Sequence, residues 1–265
     1  MYAFTQHRPA TVRQAASLLA KQEEAKLLAG GHTLIPTMKL RLAGPKHLID
    51  LSKVEGLTGI EMRGRSLIVG AMTPHVEVQT SPVVKENFPA LAELAGKIGD
   101  PAVRHRGTIG GSIANNDPAA DYPAGVLGLG ATIITSTREI AADKFFVGLF
   151  ETALEPGEII TAIRFPLPLK AGYAKFKAPA SRYALVGVFV ANFADGVRVA
   201  VSGAGPGVFR VSPMEAALSD NFEPSAIAAI KIDNDGLTSD IHAEADYRAH
   251  LVTVMAKRAV DAALS

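Results

Sequence analysis

Leu28-Ala29-Gly30-Gly31-His32-Thr33-Leu34 and Gly107-Thr108-Ile109-Gly110-Gly111-Ser112-Ile113-Ala114-Asn115 are the two stretches on which the fold turns. Each glycine pair follows residues that read as a strand or a tight turn, and each runs into hydroxyl or amide side chains. Glycine has no β-carbon, so it accepts positive φ and lets a ligand lie against the backbone. Successive N–H groups in such a turn form a concavity suited to a phosphate. Two turns of this kind in one chain suggest a grip on a diphosphate from both sides. Taken singly, either pair reads equally well as ordinary turn punctuation. Neither has the Gly-x-Gly-x-x-Gly spacing of a Rossmann turn, and Asp50, the nearest acid after the first, reads as structural.

The second stretch continues into Asn115-Asn116-Asp117-Pro118-Ala119-Ala120-Asp121, which sets an amide and two carboxylates close behind the glycines. Asn115 both donates and accepts hydrogen bonds, and Asp121 suits ribose hydroxyls. The same residues also read as an Asx-rich loop capping its own backbone.

Composition narrows the classes. The chain has 265 residues, enough for one large domain or a few small ones. Lys plus Arg number 27 against 26 Asp plus Glu, a balance that argues against a nucleic-acid binder. No run nears the roughly 18 apolar residues of a membrane span. Met1-Tyr2-Ala3-Phe4-Thr5 lacks the pattern of a secretory leader, so a cytoplasmic location is expected. There is no cysteine, so thiol catalysis and cysteine-held iron–sulfur clusters are excluded from these residues. The seven histidines are scattered without metal-ligand spacing, and no metal site is expected.

Periodicity gives a coarse layout. Thr11-Val12-Arg13-Gln14 reads as a capping box opening a helix to Lys21, and Lys26–Ala29 and His47–Leu51 as strands. Thr33 is placed to cap a helix with Pro36 near its start. Ile60–Met62 with Ser66–Val69 predicts a hairpin, and Pro82–Gly99 contains an amphipathic helix with Leu91, Leu94, Ala95 and Ile98 at helical spacing. Ala131–Thr135 and Ile159–Phe165 read as strands. Beyond Pro166 and Pro168, Ala174–Lys177, Ala184–Phe193 and Val197–Gly203 read as strands, the last two joined through Asp195-Gly196 as a type I′ turn. Helices are expected over Pro224–Ile230 and Ala243–Leu264. The expected units are 1–58, 59–165 and 166–265.

Ala29-Gly30-Gly31-His32-Thr33-Leu34-Ile35-Pro36, with Met38-Lys39-Leu40-Arg41, resembles the first FAD signature of the molybdenum-hydroxylase flavoprotein subunits. These are the medium subunits of aerobic carbon monoxide dehydrogenase and its relatives, equivalent to the flavin domain of xanthine dehydrogenase. Arg104 through Ser112, followed by Asp117-Pro118-Ala119-Ala120-Asp121, is similar to their second signature, and the likeness continues through Glu158–Thr161 and Lys175–Val186. It implies an α+β fold, a two-part PCMH-type FAD-binding α/β region followed by a C-terminal domain of antiparallel strands and helices. It implies that Ala29, Gly30, Gly31, His32, Thr33, Leu34 and Ile35, with Thr108, Gly110, Gly111 and Ser112, hold the pyrophosphate and flank the flavin chain. Asn115, Asp117 and Asp121 are implied at the ribose and ADP portion. Ile98 and Ile160 are implied at the adenine or ring edges, Lys177 reaching in from the C-terminal domain, and Tyr183 against the isoalloxazine. It further implies a large molybdenum–pterin subunit and a small [2Fe–2S] subunit as partners, assembled as a dimer of heterotrimers. No residue of this chain is expected to act as an acid or base on the organic substrate. A stand-alone FAD oxidase of the same fold, or an interaction protein that has lost FAD, are the alternatives.

Overall fold

The computed structural model describes all 265 residues. The chain opens on a parallel three-stranded sheet in which β1 (Thr5–His7) and β2 (Ala25–Leu28) flank β3 (His47–Asp50). Two helices, α1 (Val12–Lys21) and α2 (Leu34–Lys39), make the connections. The expected cap of α1 is present. Gln14 N donates to Thr11 Oγ1 at 3.2 Å, and Ala10 N donates to Gln14 Oε1 at 2.9 Å. Thr33 stands at the N-cap of α2 but makes no capping bond, contrary to expectation, and its hydroxyl is left exposed.

A second sheet is antiparallel, in the order β4 (Ile60–Arg63), β5 (Ser66–Gly70), then β10, β6 and β7. Between β5 and β6 lie six short helices: α3 (His75–Thr80), α4 (Pro82–Asn87), α5 (Pro89–Gly96), α6 (Pro101–Arg106), α7 (Ile109–Asn115) and α8 (Tyr122–Gly128). The helix expected within Pro82–Gly99 is α5, which carries Leu91, Leu94 and Ala95 but ends before Ile98, and α4 precedes it as a separate helix. Pro89 has no N–H to continue the ladder, and Phe88 sits at φ −136° and ψ 55°, outside the helical region. The break lets α5 bury Leu91, Leu94 and Ala95. Then follow β6 (Thr132–Thr135), β7 (Glu139–Ala141), α9 (Ala142–Phe145), a small hairpin of β8 (Phe146–Gly148) and β9 (Glu151–Thr152), and β10 (Ile160–Pro166).

The third sheet is antiparallel in chain order: β11 (Lys170–Lys177), β12 (Ala184–Phe193), β13 (Gly196–Ser202) and β14 (Phe209–Arg210). Helices α10 (Ser212–Asp220) and α11 (Ala245–Leu264) pack on it. Two expectations fail here. Phe193 pairs with Gly196, so the turn residues are Ala194 and Asp195; neither adopts positive φ, and the turn is not type I′. An alanine in the first central position resists the left-handed conformation that type demands. Pro224–Ile230 is a helix only as a single 3₁₀ turn, Pro224–Ile227.

The cores explain how the sheets are joined. The largest cluster spans the second sheet and its helices and takes in Tyr173, Phe189, Ala191 and Ala200 of the third. Gly128 on α8 admits the Phe189 ring, since a β-carbon there would lie 2.9 Å from it. The first sheet has only seven buried apolar residues of its own cluster, and Met72 and Ile159 among them come from elsewhere in the chain. It buries too little to stand alone, so it is held by docking.

Candidate functional site

The two glycine turns meet. A β-carbon on Gly30 would stand 2.1 Å from the Arg106 carbonyl oxygen and 2.8 Å from Gly107 Cα. One on Gly111 would stand 3.3 Å from Ala29 Cβ. Gly31 adopts φ +75°, a conformation costly for any other L-residue. Gly110 is required for a different reason: a β-carbon would lie 2.6 Å from Ala71. So Gly30 and Gly110 are demanded by backbone packing, and Gly31 by the turn itself.

Accounting for N–H groups separates the turns further. In the second, Ile109 N donates to Thr73 O, Gly110 N to Ala71 O, Gly111 N to Thr108 Oγ1 and Ser112 N to Thr108 O. All four are spent inside the protein. In the first, the N–H groups of Gly30, Gly31, His32 and Thr33 donate to no protein acceptor. The expectation that both turns offer amides to one ligand is corrected: the first offers donors, and the second is the scaffold against which it packs.

Both turns line one cavity of about 760 Å³. Ala29, Gly30, Gly31, His32, Thr33, Leu34, Ile98, Thr108, Gly110, Gly111, Ser112, Asn115, Asp117, Asp121, Ile160 and Tyr183 all reach it. Ile35 and Lys177 do not. Ile35 packs back on its own turn, with Cγ1 3.0 Å from where a Gly31 β-carbon would be. Lys177 is exposed because the β11–β12 register shifts between Phe176 and Lys177. In an unbroken strand it would share a face with Lys175. The bulge ends that alternation.

Lys175 takes the inward place instead. Its Nζ lies 2.9 Å from the Asp121 carboxylate, with its side chain 3% exposed, and Tyr173 Oη donates to Asp121 Oδ1 at 2.5 Å. Burial pushes the Asp121 carboxyl up, against the opposing pull of the Lys175 ammonium and the Tyr173 hydroxyl. Burial likewise raises Asp117, whose Oδ1 accepts from Ala119 N. Tyr183 is 45% exposed at the cavity edge, beside Ser181 and Arg182; partial burial and then the charges of Asp117 and Asp121 push its phenol up. Ser112 Oγ and the Asn115 amide form no hydrogen bond within the chain.

Among the cavity residues not singled out from sequence, three carry titratable groups that bear on the site. His75 is buried at the start of α3 beneath the second turn; its N–H donates to Gly107 O at 2.9 Å, and its Nδ1 has no partner. Desolvation first, then the nearby His32 and Arg104, lower its pKa to about 4, so the ring is neutral at pH 7. Glu158 is buried with both oxygens engaged by Arg138 and with Thr135 and Thr137 donating to Oε1; Arg138 above all lowers its pKa to about 2. Arg182, at φ +62°, lies over the opening and donates weakly to Gly99 O at 3.4 Å. Only Glu158 carried a sequence signal, as part of the stretch Glu158–Thr161.

Comparison with known proteins agrees with this geometry. Residues 2–168 match the family described as the FAD binding domain in molybdopterin dehydrogenase. The carbon monoxide dehydrogenase medium chain of Hydrogenophaga pseudoflava is 36% identical over 279 residues, covering 98% of this chain and 96% of its own. The nicotine 6-hydroxylase medium subunit of Paenarthrobacter nicotinovorans is 37% identical over 266 residues, covering 95% and 94%. Among solved structures, reconstituted CO dehydrogenase from Oligotropha carboxidovorans superposes with a TM-score of 0.92 at 34% identity, covering 98% of this chain and 97% of that one. Quinoline 2-oxidoreductase from Pseudomonas putida 86 gives 0.89 at 28%, covering 99% and 97%. No helix here is long and apolar enough to cross a membrane. The chain belongs to the family of FAD-binding domains of molybdopterin dehydrogenases and is a FAD-containing oxidoreductase subunit.

Proposed function

We propose that this chain is the electron-transfer flavoprotein subunit of a molybdenum-dependent hydroxylase. In this reading it works with a large molybdopterin subunit and a small [2Fe–2S] subunit, and its acceptor is external. The three units 1–58, 59–165 and 166–265 act as two halves of a cofactor clamp and a cover. The assembly is a cytoplasmic dimer of heterotrimers.

The observation that carries the reading is the row of unspent amides from Gly30 to Thr33 on the wall of a 760 Å³ cavity. Four free donors in succession around a residue at φ +75° suit the oxygens of a diphosphate. The cavity therefore fits FAD by an accounting of donors as well as by shape. Thr33 and Ser112 hydroxyls and the Asn115 amide supply further polar partners, and Asp117 suits ribose hydroxyls. Leu154, Ile98, Ile159 and Ile160 give the apolar wall that a planar ring needs. Tyr183 at the edge screens that wall from water.

When bound, FAD supplies the redox chemistry, accepting electrons singly or in pairs. The chain's own residues bind it, orient it and exclude solvent. His75, neutral at pH 7, adds no charge beneath the site. Glu158 and Arg138 neutralise each other at the far wall. Neither is placed to exchange a proton with an organic substrate.

The test is purification of the tagged chain from its host, with subunit identification and metal analysis. A co-purifying molybdenum subunit and a cysteine-rich iron–sulfur subunit are expected. The chain purified alone is expected to be yellow and to turn over no organic substrate. Recovery without partners, combined with substrate oxidation by the chain itself, would replace this reading with that of a stand-alone oxidase.

A further inference from the structure

The cavity wall is joined to the third sheet by a buried ion pair. Asp121 lines the cavity at the start of α8, while its two side-chain partners, Tyr173 and Lys175, stand on β11. Lys175 Nζ also donates to Lys97 O at 3.1 Å, and Lys97 Nζ returns to Tyr173 O at 3.3 Å. Gly187 on β12 makes room for the phenol, since a β-carbon there would lie 2.6 Å from Tyr173 Oη. Two backbone bonds run across the same seam. Ala184 N donates to Ala119 O at 3.2 Å, and Gly203 N donates to Pro118 O at 2.7 Å. The segment Asp117–Asp121, two of whose carboxylates face the cavity, is thus fastened to the third sheet at Pro118, Ala119 and Asp121.

A buried ammonium–carboxylate pair gives little net stability over a well-packed apolar pair. What it does give is direction. Donors from Lys175 and Tyr173 on both oxygens leave the Asp121 carboxylate a single orientation, and through it set the path of the segment. We propose that Lys175 is a positioning residue for FAD: acting through Asp121, it holds the Asp117–Asp121 segment in its cofactor-binding form and so couples cofactor occupancy to docking of the third sheet. This rests on the reading of the cavity as the FAD site.

The experiment is a double-mutant cycle on FAD affinity, measured on the full-length chain by the quenching of added FAD fluorescence, with thermal unfolding followed in parallel. Lys175→Met is expected to weaken FAD binding at least tenfold. In an Asp121→Asn background the same substitution is expected to cost less than threefold, because its route has already been removed. Lys175→Arg, which keeps the cation, is expected to recover most of the affinity. Should Lys175→Met fail to fold, Tyr173→Phe removes one hydroxyl from the same carboxylate and is expected to cost two- to fivefold in the Asp121 background only. Equal losses in both backgrounds, or wild-type affinity in Lys175→Met, would overturn the proposal. Failure of the cavity reading is separately visible, as an unsubstituted chain that binds no FAD.

Discussion

Replacing Gly30 by alanine tests the contact between the two turns directly. Gly30 does not adopt positive φ, so alanine brings no backbone strain of its own there. What it brings is a β-carbon 2.1 Å from Arg106 O, with the Arg106 carbonyl carbon and Gly107 Cα each at 2.8 Å. That is roughly 1 Å short of van der Waals contact. All three are backbone atoms, and none can rotate away, so the turns must part. Overpacking of this kind costs about 1–3 kcal/mol. At about 2–4 °C per kcal/mol for a chain of this size, the midpoint of thermal unfolding falls by about 2–12 °C. If the cofactor needs both turns in register, the same strain appears in its affinity, as a loss of about 5- to 150-fold at 1.4 kcal/mol per decade. Gly56→Ala is the control. It sits at φ +76° with nothing within 4 Å of the added carbon, so it incurs strain but no collision, and it does not line the cavity. It should lose stability by about 1 kcal/mol and keep FAD. The assays are differential scanning calorimetry and FAD retention through gel filtration, read from flavin absorbance. Wild-type affinity and melting in Gly30→Ala, or an equal loss of FAD in Gly56→Ala, would refute the claim that the turns are wedged together.

Two further outcomes follow from buried groups. His75 titrates at about 4 when folded against 6.5 ordinarily, so below pH 6.5 the unfolded chain takes up a proton that the folded chain refuses. Stability therefore falls as pH drops from 6.5 towards 4, by about 3 kcal/mol from this group, and His75→Gln should flatten that limb in urea titrations at pH 7 and 4.5. Asn116 ends α7 at φ 44° and ψ 48°, and its Nδ2 donates to Gly148 O at 2.9 Å and Glu151 O at 2.7 Å. Asn116→Ala should cost about 2–4 kcal/mol, with Asn116→Gly recovering only the backbone part; a wild-type unfolding midpoint in Asn116→Gly would show that the bonds to the hairpin carry nothing.

What was legible in the sequence was local. The turns, the α1 cap and β12 are each decided by neighbours a few residues away, and a short window contains them. Lys177 was implied by the resemblance alone, and what turns it away from the cavity, the register shift after Phe176, depends on pairing with β12 that no short window contains. Yet Tyr173 and Lys175 did leave a trace: two polar side chains two apart in an apolar strand share one face, and burial of that face requires a partner for each. His75 left none. Only the fold brings it under Gly107, through the bridge between Pro74 and Thr108.

The division of labour between the turns has the same origin. Ala71 and Thr73, at the end of β5, consume the amides of Gly110 and Ile109, and that pairing fixes α7 to the second sheet before any ligand arrives. Nothing comparable reaches the first turn, which hangs from a sheet whose own cluster includes Met72 and Ile159 from the other side of the cavity. Leu19, Leu27 and Leu51 of the N-terminal unit face those two residues across the same space. A cofactor seated there satisfies the free amides and extends the smallest core of the molecule. By mass action it must then stabilise the chain, by about 2.7 kcal/mol at a hundred times its dissociation constant. The N-terminal sheet, buried largely by docking, is where that gain should be felt first, as slower amide exchange in β2 and α2 on addition of FAD.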